Sequence, residues 1–157
     1  MDYAPSVHGA RADVCVLQGR SGSFFPEILP RVGDYKKVHL AGPVRGEGRV
    51  FRPGTRFRVF NIDDVTVGIN ICYDGRHPGS SLALAHLGAE VILHPHGNTV
   101  GSLGMNPLDW TRNKRAYLGP RCVDTCTYTL ICNSVGNVID RGGTLRKFSG
   151  GALVLGP

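Results

Sequence analysis

The chain has 157 residues, a formal net charge of +6, 41% apolar residues and 19% charged residues. Those values fit about one globular domain with a real core and exclude disordered and collagen-like classes. No apolar run reaches the roughly 18 residues that span a bilayer, and Met1-Asp2-Tyr3 has neither the basic start nor the apolar centre of a leader, so a cytoplasmic protein without a membrane partner is expected. Cys15, Cys72, Cys122, Cys126 and Cys132 are an odd set without paired spacing, which predicts free thiols rather than a disulfide framework. Among the basic residues the densest run is Arg45, Arg49, Arg52, Arg56 and Arg58, alternating with Val50, Phe51, Phe57 and Val59 as in a half-exposed strand pair. That pattern describes a solvated basic face, and no nucleic-acid partner is expected.

In chain order, residues 1–11 lack periodicity and read as an irregular N-terminus. Ala12 to Gln18 is a strand. Turn chemistry follows at Gly19 to Ser23, and Pro26 and Pro30 keep the next stretch from forming a long helix. A second strand, Tyr35 to Leu40, completes a long-looped hairpin. Pro43 to Gly54 is a loop around Glu47, broken by Val50-Phe51. Arg56 to Asn61 is a strand, Asp63-Asp64 a turn, and Val65 to Cys72 a fourth strand in this half of the chain.

A turn at Asp74 to Gly79 leads into a helix from Ser80 to Leu87, with Ser80 or Ser81 as N-cap and Gly88 as stop. Glu90 to His94 is an apolar strand, so strand, helix and strand form a βαβ unit with a parallel pair. A loop from His94 to Pro107 leaves the end of that strand. Leu108 to Leu118 is helical, Gly119-Pro120 interrupts or kinks it, and Arg121 to Asp124 resumes it. Thr127 to Asn133 is a strand parallel to its predecessor. Gly142-Gly143 marks a turn, and Ala152 to Leu155 is a final apolar segment.

Cys72 sits where a strand delivers the chain into a turn, on the edge of an α/β sheet at which ligands collect. Two readings stand side by side: a nucleophile whose thiolate is favoured by the outward-pointing amides of the turn, and a small buried hydrophobe beside a strand end. His94 and His96 are placed at the mouth of the same edge, where they touch substrate or, with a cysteine, a metal. Two histidines without further spaced ligands are weak support for zinc, and no metal or cofactor is expected. Asp74 reads as a turn residue. Cys122, Cys126 and Cys132 read as core or helix-face thiols.

Several segments, in order, carry a resemblance. Tyr35-Lys36-Lys37-Val38-His39-Leu40, Glu47-Gly48-Arg49-Val50-Phe51-Arg52-Pro53-Gly54, Val67-Gly68-Ile69-Asn70-Ile71-Cys72-Tyr73-Asp74, Gly88 to Pro95, Arg121-Cys122-Val123-Asp124, Asn133-Ser134-Val135-Gly136 and Phe148-Ser149-Gly150-Gly151 resemble segments of the nitrilase, or carbon-nitrogen hydrolase, superfamily. The resemblance covers residues 12–157. It implies an α/β fold, a partial αββα sandwich with mixed sheets, and hydrolysis of a non-peptide carbon-nitrogen bond in a small amide, carbamoyl or nitrile substrate. By the same resemblance Cys72 is the nucleophile and Lys37 the cation beside the oxyanion. Glu47 is the supporting glutamate and the backbone of Tyr73 an oxyanion donor, while His96 is a substrate contact by its position alone. Cys72-Tyr73-Asp74 resembles the amidase and carbamoylase members more than true nitrilases.

One departure qualifies this. The family's general-base glutamate lies in a Phe-Pro-Glu segment delivered by an earlier strand. Phe25-Pro26-Glu27 matches in letters, yet Glu27 stands only ten residues before Lys37 and lacks that strand. The base segment is therefore read as absent and the domain as incomplete at both ends. Exposed sheet edges then favour association, and a homo-oligomer is expected. The alternative function is a non-catalytic subunit or remnant that binds a sister chain.

Overall fold

The computed structural model describes residues 14–18, 31–42, 46–100, 106–140 and 142–157. The expected irregular start at 1–11, the turn at 19–23 and Glu27 lie outside the described residues. Strands β1 (Val14–Gln18) and β2 (Arg31–Lys36) form an antiparallel hairpin. A five-stranded sheet contains β3 (Val59–Ile62), β4 (Val65–Ile69), β5 (Val91–His96), β6 (Tyr128–Asn133) and β9 (Ala152–Leu155). Its neighbours run β3-β4-β5-β6-β9, with β4, β5 and β6 parallel and the two outer pairings antiparallel. A separate small hairpin joins β7 (Asn137–Ile139) to β8 (Leu145–Lys147).

The mixed sheet follows from its connections. β3 and β4 meet across the tight turn Asp63-Asp64, with Asp63 at φ +50°, and only an antiparallel pair closes that way. β4 to β5 and β5 to β6 are joined by α1 (Pro78–His86) and α2 (Pro107–Thr125), the helical crossovers that parallel strands require. Registers Gly68↔Ile92↔Thr129↔Leu155 and His94↔Ile131↔Leu153 place these residues on one face of the sheet. Both helices cover that face: Leu84 of α1 packs with Ala89 and Ile92, and Trp110 and Leu118 of α2 pack with Ile131, Leu153 and Leu155. Ile69 and Leu93 point to the opposite face, where the β1-β2 hairpin contributes Tyr35 to a core with Phe60, Ile69 and Ile71. Helices, sheet and hairpin are thus three successive layers, a part of the αββα sandwich, and the mixed α/β class matches the sequence reading.

Several boundaries differ from it. The strand expected at Tyr35 to Leu40 lies upstream, at Arg31–Lys36, because residues 38 and 39 turn their amides to a side-chain carboxylate instead of a neighbouring strand. The helix expected from Ser80 begins at Pro78 with His77 as N-cap, since proline at the first position is already set at helical φ and lacks only an amide that has no intrahelical partner. Ser80 and Ser81 are buried inside it. β5 extends through His96, so His94 and His96 are strand residues.

Helix α2 is continuous through Pro120, whose Ala116 carbonyl partner position faces solvent; both residues are exposed. Apolar anchors on either side, Leu118 and Cys122, keep the buried side straight. The basic strand pair does not form either. Of its residues Val59 alone is in β3, Glu47–Arg49 is a 3-10 turn, and Arg49, Arg52, Arg56 and Arg58 are exposed.

Candidate active site

Lys37 immediately follows β2, and strand alternation sends Lys36 to solvent and Lys37 inward, where it is only 1% exposed. A buried ammonium needs a partner. Lys37 Nζ donates to both carboxylate oxygens of Glu47, each at 2.7 Å. Glu47 opens its 3-10 turn with Oε2 also accepting from the Ala41 amide at 2.7 Å. The pair is therefore well satisfied and close to neutral as a unit.

β4 ends at Ile69, and the chain reverses at Cys72 into the 3-10 turn Cys72–Arg76. Cys72 has φ +46°, a left-handed conformation that costs a non-glycine residue roughly 1–2 kcal/mol. The buried carboxylate of Asp74 stabilises the turn. Its Oδ2 accepts from the Ile71 amide at 3.1 Å and from the Tyr35 hydroxyl at 2.9 Å. Its Oδ1 accepts from the amides of Val38 at 3.2 Å and His39 at 2.6 Å, with His39 Nδ1 at 3.2 Å. One side chain thus ties residues on both sides of Lys37 to residues on both sides of Cys72. Asp74 does more than shape its own turn.

The turn is braced from beneath as well. Arg121 of α2 donates to the carbonyl of Gly75 and, at 3.3 Å, to that of Arg76. Gly75 permits close approach to the buried His94 ring, since a Cβ there would stand 2.3 Å from it. His94 Nδ1 pairs with the carbonyl of Asn70. Burial pushes the His94 pKa down to about 4, and burial followed by the neighbouring His94 pushes His96 further down, so both rings are neutral at pH 7. His96 packs edge-on against Trp110 at 5.6 Å on the helix-covered face. Neither histidine sits at an open mouth. Among the described residues no group of three His, Cys, Asp or Glu side chains could hold a metal ion.

Beyond β5, Asn98 reaches Cys72, with Nδ2 3.9 Å from Sγ. Its amide is oriented by Trp110, whose Nε1–H donates to Asn98 Oδ1 at 3.0 Å. Its backbone is fixed by Asn133, which accepts from the Asn98 amide at 2.8 Å and donates to its carbonyl at 3.1 Å. Two lysines bear on the cysteine, Lys37 and Lys114 of α2. Burial nevertheless pushes the Cys72 thiol up, and the cations and the Gly97 amide only partly offset it. The expectation that local charge favours a resting thiolate gives way to desolvation.

A cleft of ≈ 540 Å³ opens between the two segments, lined by Val38, Leu40, Phe51 and Pro53 from the lysine side and Tyr73 and His77 from the cysteine side. That size suits a small molecule. Tyr73 is exposed here, its ring edge-on to His77 with centroids 5.4 Å apart. The charges of Lys37 and Glu47 both act on Cys72, and Tyr73 follows it in the turn, so these four stand at one site, the cleft being lined by Tyr73 and by chain neighbours of the other three. Of the other thiols, Cys122 is buried in the core and Cys126 is the exposed C-cap of α2. Cys132 is exposed on a strand and belongs to neither the core nor a helix face. The sequence reading missed Asn98, Trp110 and Lys114, and it underrated Asp74.

Comparison with known proteins fits this geometry. A family model described as carbon-nitrogen hydrolase matches residues 12–157. An (R)-stereoselective amidase from a Pseudomonas species is 33% identical over 123 residues, covering 78% of this chain and 39% of the relative. An N-carbamoylputrescine amidase from Solanum lycopersicum is 31% identical over 134 residues, covering 80% and 43%. Among solved structures, an amidase of the nitrilase superfamily from Nesterenkonia AN1 superposes with a TM-score of 0.64 at 26% identity, over 81% of this chain and 43% of that one. A structure of a glutamate-to-glutamine mutant of that amidase carries the acetamide moiety of fluoroacetamide covalently added at its active-site cysteine. The chain thus spans less than half the length of these relatives.

Proposed function

Because the chain belongs to the carbon-nitrogen hydrolase family, we propose that it takes part in hydrolysing the carbon-nitrogen bond of a small amide or carbamoyl substrate, with Cys72 as nucleophile. The observation that carries this reading is the placement of Cys72, in a left-handed turn at the end of a parallel strand, within the field of the buried Lys37 and its half-buried partner Glu47. Sγ attacks the carbonyl carbon, a carbon-sulfur bond forms, and the carbonyl oxygen takes up negative charge. Lys37 and the backbone of Tyr73 are the candidates to stabilise that charge. The carbon-nitrogen bond then breaks, the amine leaves with a proton, and water cleaves the thioester to release the acid and restore the thiol.

Burial keeps the Cys72 thiol protonated at neutral pH, so the attack needs a base to take its proton. Glu47 is poorly suited, since its oxygens are already engaged by Lys37 and the Ala41 amide. Glu27 lies outside the described residues. Ammonia release from a panel of small amides, carbamoyl compounds and nitriles tests the proposal. The expected result is release that disappears in Cys72→Ala. Undiminished release in that variant would overturn it.

A second reading has its own observation. On the sheet face away from the helices, Tyr128, Leu130 and Val154 are 53%, 40% and 66% exposed. An apolar face of this kind favours association, as a homo-oligomer or with a sister chain. Sedimentation analysis tests it: a chain monomeric at all concentrations would remove this reading.

A further inference from the structure

Lys37 supplies the expected cation, yet its charge is matched by a carboxylate held on both oxygens at 2.7 Å. Glu47 opposes Lys37 at the sulfur and offsets part of its effect. A second cation, Lys114 of α2, also acts on Cys72. It is 3% exposed, its Nζ donates to the Tyr117 hydroxyl at 3.0 Å, and it lies over the Trp110 and Tyr117 rings at 5.5 and 5.3 Å. Among the described residues no carboxylate forms an ion pair with it. Trp110, the ring beneath it, holds the Asn98 amide that contacts Cys72 Sγ.

A buried ammonium faced only by aromatic rings and a hydroxyl is costly, and it is relieved when an anion forms nearby. We propose that Lys114, alongside Lys37, supplies positive charge that stabilises the Cys72 thiolate, as a positioning residue acting through that sulfur. This rests on the reading of Cys72 as nucleophile. The titratable groups around the pair are accounted for. Arg76 opposes the Lys114 charge, Tyr117 is raised above its ordinary range by burial, and His94 and His96 are neutral. Burial lowers Lys114 to about 8 while Cys72 holds it up, and Lys114 in turn draws Cys72 down. That mutual effect is what a coupled pair gives.

The test is the pH dependence of Cys72 alkylation by iodoacetamide, resolved from Cys126 and Cys132 by peptide mass spectrometry. Below about pH 8, where Lys114 carries its charge, Lys114→Met should hold about tenfold less thiolate, offset by about threefold higher nucleophilicity, for a net loss of about threefold in rate, and the two profiles should converge at higher pH. Lys114→Arg, which keeps the charge, should restore the wild-type rate below about pH 8. Superimposable profiles for wild type and Lys114→Met would overturn the proposal, as would failure of the arginine variant to restore it.

Should neither variant fold, the wild-type profile alone decides: thiolate formation should flatten at about pH 8, where Lys114 loses its charge, before rising again to its final break, and a profile with a single break would overturn the pairing. Amide hydrolysis is scored separately. A shifted Lys114→Met profile without any amide turnover would uphold the charge pair and refute the catalytic reading. Cys72-dependent turnover with unshifted profiles would do the reverse.

Discussion

Replacing Asp74 probes how the two halves of the site are held together. Its carboxylate accepts from three backbone amides, those of Ile71, Val38 and His39, and from the Tyr35 hydroxyl, all at 2.6–3.2 Å. Hydrogen bonds to a charged group are worth about 1.5–3 kcal/mol each, and orphaned buried donors cost about 1–3 kcal/mol each. In Asp74→Asn one oxygen becomes an NH₂ group. Whichever way the amide turns, it faces either the Ile71 and Tyr35 donors or the Val38 and His39 donors. Two bonds are lost and two donors face a donor.

The expected cost, after local relaxation, is about 2–4 kcal/mol, at the severe end for one substitution. Urea unfolding should show a lower midpoint at unchanged slope. Because residues 38–39 flank Lys37 and residue 71 flanks Cys72, amide hydrolysis should fall further than the loss of folded protein explains. A stability within about 0.5 kcal/mol of wild type would refute the claim that this carboxylate joins the two segments.

Other substitutions follow the same logic. Tyr35→Phe removes one of those donors along with its acceptor contact and should cost about 1 kcal/mol, well short of Asp74→Asn, in the same urea assay. Gly75→Ala places a methyl group 2.3 Å from the buried His94 ring, so it should lower the thermal midpoint strongly and displace the turn that carries Cys72, reducing hydrolysis. Acid should also weaken the fold through His94. Its pKa falls from 6.5 to about 4 on folding, so between those values the unfolded chain binds more protons. Stability is then fully present above pH 6.5 and declines as pH falls towards 4, by up to about 3 kcal/mol from this group. Denaturation curves at stepped pH in wild type and His94→Gln measure it, and the variant should show a shallower slope.

The parallel βαβ unit around Cys72 and the N-terminal hairpin were legible because they rest on local signals: apolar runs, turn residues and connection lengths. Lys37 was distinguishable from Lys36 because strand period sends them to opposite faces and the family motif marks Lys37. The limits show at residues whose meaning is set by distant partners. Asp74 has the local signature of a turn residue, and its other donors, the Tyr35 hydroxyl and the amides of Val38 and His39, come from 35 to 39 positions upstream. Lys114 reads as one more charge on a helix of mixed polarity, and only the packing of α2 against β6 and β9 turns it inward. Pro120 carries a strong local breaker signal that the solvent-facing placement of its gap overrides. For Cys72, the charges around it suggested a resting thiolate. Burial, which is not visible in a sequence, decides otherwise.

The central claim is that Cys72 is the nucleophile of this site, and intact-protein and peptide mass spectrometry after exposure to fluoroacetamide tests it most directly. Cys126 and Cys132 are exposed thiols and serve as internal controls. The account predicts one acetamide moiety on Cys72, none on the two exposed cysteines, and loss of the adduct in Cys72→Ala. An unmodified Cys72, or an adduct shared with Cys126 and Cys132, would contradict it.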